Sequence, residues 1–109
     1  MEPIDWKALS ENCAGDDGLV TEIVGLFRRE APALLGDVQA AVRANDGPAI
    51  KRTAHRLKGA LLSLAAKGAT ELAKELEQAG SANELSKVTT LLSRLEEELR
   101  RVLTALDGR

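Results

Sequence analysis

Apolar residues recur every three or four positions along most of this chain, in runs broken by glycine, proline and asparagine. The longest run comprises Val20, Ile23, Val24, Phe27, Ala31, Leu34, Leu35, Val38 and Val42. Such spacing places side chains on one face of an α-helix, whereas a strand alternates with a period of two. Aromatic residues make up 2% of the chain and hydrophobic residues 44%, so the core must be largely aliphatic. Together these features predict an all-α protein.

The breaks between the runs predict where the first helices begin and end. A short leading helix should run from about Asp5 to Cys13 and end at Gly15. Asp16 or Asp17 can then cap the long second helix, because a short side-chain oxygen satisfies a free amide at a helix start. Pro32 lies inside that helix and should kink it, since proline removes a helical hydrogen bond.

Three more helices are expected after a loop at Asn45–Pro48. The third helix buries a stripe formed by Ile50, Ala54, Leu57, Leu61 and Leu64. A break at Lys67–Gly68 precedes the fourth helix, from about Ala69 to Ala79, which Gly80 should end. Ser81 and Glu84 match a capping box for the last helix, whose apolar stripe begins at Leu85 and continues to Leu106.

Four amphipathic helices joined by short connections predict an antiparallel, up-down-up-down four-helix bundle with a short N-terminal extra helix. The length of 109 residues fits a single domain, residues 1–109. Because all four apolar stripes are used inside the bundle, we expect a monomer.

Composition and charge exclude several functional classes. With a net charge of −2, the molecule as a whole has no electrostatic attraction for nucleic acid. Cys13 is the single cysteine, and with one histidine it falls short of a zinc site. Residues 1–7 do not resemble a signal peptide, and no apolar run approaches the roughly 20 residues that span a bilayer. A cytoplasmic protein without membrane association is therefore expected.

His55 is the residue that most suggests chemistry. With about 100° between successive helical residues, it lies roughly 140° from the centre of the stripe near Ala54 and Leu57. It should therefore face water rather than the core. Residues three and four positions apart are neighbours on a helix, so Lys51, Arg52, Lys58 and Gly59 surround it.

Basic charge is gathered around His55. Between Asp46 and Glu71 there are five basic residues and no acidic ones, whereas the rest of the chain has 17 acidic and 10 basic residues. The five are Lys51, Arg52, Arg56, Lys58 and Lys67. A local positive field suits a phosphoryl group and an acidic partner, and neutral imidazole is a competent nucleophile near pH 7.

Gly59 suggests a steric requirement, because glycine in a helix interior costs roughly 1 kcal/mol relative to alanine. Its missing side chain would let a partner approach the ring of His55. Leu62 and Ala66 continue the same outward strip and predict an apolar docking surface beside the histidine.

The segment Ala54–Ala60, which reads A-H-R-L-K-G-A, resembles the A-H-x-L-K-G signature of histidine phosphotransfer (HPt) domains. Leu26–Pro32 is similar to the L-F-x-x-E-x-P segment of that family, and Glu71–Glu77 is similar to its downstream segment ending in L-E. One departure is Leu64-Ala65-Ala66, where family members often read L-G-A. The absence of that glycine should leave the helix more regular there.

The resemblance implies a role for each matching residue. His55 would accept and donate a phosphoryl group, expected at Nε2, in exchange with the aspartate of a response-regulator receiver domain or a hybrid sensor kinase. Lys58 would stabilise the phosphoryl group and Gly59 would give steric clearance. From the local basic charge and the outward strip, and not from the resemblance, we expect Lys51, Arg52, Arg56, Leu62 and Ala66 to contact the partner. The chain would be a carrier rather than an enzyme and would need no cofactor, because Mg²⁺ is expected on the receiver domain.

A second hypothesis, from a different functional class, stays open. The chain could be a helical adaptor that docks a partner through the strip from Lys51 to Ala66 and is never phosphorylated. A hydrolase or metal enzyme is excluded, because one histidine, no tyrosine and no clustered carboxylates leave no residues to build such a site.

Overall fold

The computed structural model describes residues 2–109, and Met1, the first residue of the predicted domain, lies outside the described residues. The described chain contains helices and turns but no strand. In chain order the helices are α1 (Trp6–Asn12), α2 (Asp17–Arg43), α3 (Gly47–Ser63), α4 (Lys67–Ser81) and α5 (Val88–Asp107). The prediction of an all-α protein with a short leading helix is confirmed. No helix in residues 2–109 combines the length and apolarity needed to cross a membrane.

Aspartate side chains cap the first three helices. The carboxylates of Asp5, Asp16 and Asp46 accept hydrogen bonds from the amides of Ala8, Leu19 and Ala49, respectively. Each such cap contributes about 1 kcal/mol. The prediction that Asp16 or Asp17 begins α2 is confirmed for Asp16, and Pro48 lies in the first turn of α3 as expected. Helix α2 continues through Pro32, and the bend there stays a prediction.

Helix α3 lies at the centre of the packing. It packs most extensively against α4 and next against α2, while α4 packs against α5, and α2 contacts α5 to a smaller extent. The buried aliphatic side chains form one cluster that includes the predicted stripe of α3. The connections at 44–46, 64–66 and 82–87 are short, which favours antiparallel neighbours. The up-down-up-down order itself stays a prediction.

Gly80 lies inside α4 and does not end it, so that part of the sequence prediction is wrong. Its role is to let two helices approach closely. A Cβ atom at Gly80 would lie 2.8 Å from Cγ2 of Ile50 and 2.9 Å from the carbonyl oxygen of Gly47. A Cβ at Gly47 would in turn lie 2.8 Å from the carbonyl oxygen of Gly80. The beginning of α3 and the end of α4 therefore meet backbone to backbone.

The predicted capping box at Ser81 and Glu84 is also wrong. Ser81 is the last residue of α4, and α5 begins only at Val88, with no side-chain cap. Asn83 adopts a φ of +56°, which turns the chain after α4. Glu84 consequently lies in the connection, where its carboxylate pairs with Lys87 at 2.6 Å. Leu85 likewise precedes α5 instead of belonging to it.

The turn between α3 and α4 falls at 64–66, earlier than the predicted break at Lys67–Gly68. The amide of Ala66 donates a hydrogen bond to the carbonyl of Leu61, and the amide of Ala65 donates one to the carbonyl of Leu62. These two bonds are the pattern of a Schellman turn. Ala65 occupies the left-handed position with a φ of +57°, which costs about 1 kcal/mol for a residue with a Cβ atom. The expectation of a more regular helix at this point is therefore wrong, because Ala65 adopts the left-handed conformation that glycine takes at low cost.

Candidate functional site

His55 lies in the middle of α3 with 65% of its side chain exposed. Its Nδ1 atom lies 2.8 Å from Oε2 of Glu77 on α4. No hydrogen bond or ion pair to Nε2 is found among residues 2–109. The ring therefore faces water, as its helical angle indicates, and one of its two nitrogens is held by the neighbouring helix.

This contact determines which nitrogen of His55 is nucleophilic. An ionised carboxylate can only accept hydrogen bonds, so Nδ1 must carry the hydrogen that it donates to Glu77. In the neutral ring the lone pair is then on Nε2. The exposed nitrogen is therefore the one able to form a new bond.

Lys58 follows His55 by three residues and lies on the same side of α3, as expected. Its Nζ atom donates to Oε1 of Glu77 at 2.7 Å. One carboxylate thus joins the histidine and the lysine, one partner on each oxygen. The sequence analysis placed Lys58 beside His55 but did not identify Glu77 as the group that both contact.

Glu77 is largely buried, with 16% of its side chain exposed. Burial by itself raises the pKa of Glu77, but hydrogen bonds from Lys58 and His55 outweigh it and hold the pKa below its ordinary value of 4.5. Glu77 is therefore ionised at neutral pH. The signal that could have found it is its place at the end of the L-E segment on α4.

Gly59 leaves open space on the surface of α3, one helical turn after His55. A Cβ atom built at Gly59 would meet no other atom within 4 Å. No atom of another helix lies in contact distance of that Cβ, so the glycine is not explained by a close helix contact like that of Gly80. The space agrees with a need for clearance on the solvent side of α3.

An open groove of about 450 Å³ runs between α2 and α3 next to Gly59. Its lining includes Ile23, Leu26, Glu30, Arg56, Gly59 and Ala60. Leu26 in this groove is 48% exposed. Leu62 on α3 is 57% exposed, but it lines a different groove, formed with residues of α1 and α4. The sequence analysis identified only the α3 side of this surface. Leu26 could have been noticed because it lies off the buried stripe of α2 that contains Val24 and Phe27.

The predicted docking residues divide into two groups. Lys51, Arg52, Arg56 and Leu62 are exposed on α3, and Arg56 lies 3.7 Å from Asp37 on α2. Ala66 is fully buried, so its predicted contact with a partner is wrong. The physical reason is that α3 ends at Ser63 and the chain then turns, which carries Ala66 away from the outward strip.

Two further sequence observations concern cysteine and metal binding. Cys13 is buried and unpaired, as a small core side chain would be. Within residues 2–109, no group of three or more histidine, cysteine, aspartate and glutamate side chains is arranged to hold a metal ion.

Comparison with known proteins gives one match. The Hpt domain family matches residues 22–106, which include α3, α4, most of α2 and nearly all of α5. Searches of curated proteins and of solved structures find no match. Hpt domains are phosphocarrier modules of two-component phosphorelays, and they generally interact with response-regulator receiver domains. The exposed His55 on α3 lies within the matched region, and the chain belongs to the Hpt domain family.

Proposed function

We propose that this chain carries a phosphoryl group on Nε2 of His55 and exchanges it with the aspartate of a receiver domain. The receiver belongs to a response regulator, a hybrid sensor kinase or both. The observation that carries the proposal is the exposed ring whose Nδ1 is held by Glu77 at 2.8 Å, leaving Nε2 free to react.

The transfer needs no other nucleophile from this chain. The Nε2 lone pair attacks the phosphorus of the aspartyl phosphate, so that an N–P bond forms while the bond to the aspartyl oxygen breaks. The aspartate leaves as a carboxylate with that electron pair. The hydrogen on Nδ1 stays in place, and the resulting positive ring is stabilised by the Glu77 carboxylate. The reverse transfer follows the same path.

Lys58 and Gly59 support this reaction in different ways. The Lys58 ammonium is within one helical turn of His55, where its charge stabilises phosphoryl oxygens once they are attached. Gly59 keeps the solvent side of α3 clear, so that the receiver aspartate can reach the ring.

The receiver docks on the surface around His55. The basic residues Lys51, Arg52 and Arg56 complement an acidic phosphoacceptor pocket, while Leu62 and Leu26 offer apolar contacts on α3 and α2. We place the Mg²⁺ that assists the transfer on the receiver, with no cofactor on this chain. The chain acts in the cytoplasm as a monomeric single domain.

Incubation with a receiver that carries an isotopically labelled phosphoryl group tests the proposal, because the label should move to this chain. Wild-type protein should take up a phosphate that is labile in acid and stable in base, as expected for phosphohistidine. His55→Gln should take up none while keeping its helical circular dichroism, because the side chain at 55 is mostly exposed.

The alternative function is an adaptor that binds a partner without being phosphorylated, which the exposed Leu26 and Leu62 also favour. Binding of cognate receivers with no uptake of label by wild-type protein would support the adaptor and contradict the phosphocarrier.

A further inference from the structure

We propose that Glu30 and Asp37 on α2 determine which receivers this chain accepts, because they give the docking surface an acidic edge beside the basic residues of α3. A matching receiver carries a basic side chain where it faces α2, and a receiver with an acidic side chain at that place is repelled. This inference rests on the proposed function, and it names the chemistry of the partner at the same surface.

The acidic edge, which consists of Glu30 and Asp37, lies on one strip of α2 together with Leu26. With about 100° between successive helical residues, the spacing of these three residues keeps their directions within roughly 40° of one another. The strip borders the groove between α2 and α3, which Leu26 and Glu30 help to line. Glu30 and Asp37 are both exposed. A receiver that covers the exposed leucine therefore also meets these two carboxylates.

Asp37 connects the acidic edge to the basic residues of α3. Its Oδ2 atom lies 3.7 Å from Nη1 of Arg56, and both side chains are more than half exposed. An ion pair this exposed contributes little to stability, because water screens the charges and ordering the arginine side chain costs entropy. The pair leaves both charges accessible to a partner, so the carboxylate of Asp37 is suited to recognition.

The two arginines that precede Glu30 in sequence do not neutralise the acidic edge. Arg28 pairs with Asp107 on α5, which is on the other side of α2 from the groove. The side chain of Arg29 lies over Gly25, where a Cβ atom would be 3.4 Å from its Nη1 atom. No ion pair to Glu30 is found among residues 2–109.

The acidic edge supplies a distinction that the basic residues cannot supply. Lys51, Arg52 and Arg56 are exposed on α3, and they attract any receiver whose phosphoacceptor pocket is acidic. Attraction of this kind does not separate one such receiver from another. Discrimination between similar partners often depends on an unfavourable contact with the wrong one. An acidic receiver side chain placed against Asp37 makes such a contact.

A panel of phosphorylated receivers, compared in wild-type protein and in Asp37→Lys, tests the inference. The receiver with the highest kcat/KM for wild-type protein serves as the cognate one. Asp37→Lys should raise its KM about tenfold and leave kcat unchanged, since Asp37 does not touch the reacting atoms. At least one receiver that wild-type protein uses poorly should gain about tenfold in kcat/KM. Equal factors for all receivers, or an unchanged KM for the cognate one, overturn the inference.

Reversing the charges of the pair separates their polarity from the contact itself. Asp37→Arg combined with Arg56→Asp keeps an ion pair between α2 and α3, so the midpoint of urea denaturation should not change. The swapped protein should nevertheless lose its preference for the cognate receiver. Retention of the wild-type preference overturns the inference.

Glu97→Lys is the matched control, since Glu97 is exposed on α5 and the substitution changes the net charge by the same amount. It should leave KM unchanged for every receiver, and a change as large as that of Asp37→Lys would show a general charge effect and overturn the inference. Failure of wild-type protein to take up label from any receiver would instead contradict the proposed function. The two failures are therefore distinguishable.

Discussion

Nδ1 of His55 on α3 and Oε2 of Glu77 on α4 are 2.8 Å apart. This contact ties the candidate nucleophile to the most extensive helix interface of the molecule, between α3 and α4. At one end of the same interface, the backbones of Gly47 on α3 and Gly80 on α4 lie too close together to admit a Cβ atom at either residue. The position of Glu77 relative to His55 therefore depends on the close packing of two helices as well as on local sequence.

The glycine at position 80 should be essential for stability. Gly80→Ala places a methyl group against backbone atoms, and we expect it to lower the free energy of unfolding by about 2 kcal/mol. Gly36→Ala is the matched control in α2, because a Cβ there meets nothing within 4 Å. It should raise stability by about 0.5–1 kcal/mol. Urea denaturation measures both, and equal effects at the two positions would contradict the packing role of Gly80.

Gly59 should separate stability from transfer. Gly59→Ala fills open space, and we expect it to raise the free energy of unfolding by about 1 kcal/mol through better helix propensity. Gly59→Leu should fold equally well but slow transfer from the receiver at least tenfold, since the larger side chain occupies the approach to His55. Normal transfer by the leucine variant would show that this clearance is unimportant.

The exposed leucines Leu26 on α2 and Leu62 on α3 should both contribute to binding of the receiver. Leu62→Glu and Leu26→Glu should each raise the KM for the phosphorylated receiver by about tenfold, because they place a charge in an apolar contact. Leu103 on α5 is 36% exposed and lines neither the groove at Leu26 nor the groove at Leu62, so Leu103→Glu is the control and should leave KM unchanged. A similar rise in all three variants would argue against a specific docking surface.

Acid should remove the contribution of Glu77 to stability. Its pKa in the folded protein is below the ordinary value of 4.5, so the contribution is fully present above that pH. As the pH falls below 4.5, Glu77 takes up a proton in the unfolded chain before it does so in the folded protein. Its contribution to stability is then lost as the pH falls through the folded-state pKa. Wild-type protein should therefore lose stability relative to Glu77→Gln below about pH 5. Urea denaturation at each pH measures the free energy of unfolding of both proteins. If that free energy changed with pH in the same way in both, the prediction would be contradicted.

The sequence predicts the helices and the exposure of His55 because both depend on local periodicity. The three- and four-residue spacing of aliphatic side chains is sufficient to assign α2 and α3, and a helical angle places His55 outside the core. Lys58 follows from the same argument, since it is one helical turn away. These features need no knowledge of how the helices pack.

Features that depend on packing or on turn geometry could not be predicted in the same way. The contact between Glu77 and His55 requires the register of α4 against α3, which the close approach of Gly80 and Gly47 helps to fix. Ala66 is buried because Ala65 takes a left-handed conformation that alanine rarely adopts. The capping motif at Ser81 and Glu84 is present in sequence, but Asn83 turns the chain between them.

The attachment site of the phosphoryl group tests the central claim most directly. Protein labelled with nitrogen-15 at histidine can be phosphorylated by its receiver and examined by phosphorus and nitrogen NMR. We predict coupling of phosphorus to Nε2 of His55, with a hydrogen retained on Nδ1 towards Glu77. Phosphorus on Nδ1, or on any residue other than His55, would contradict the account.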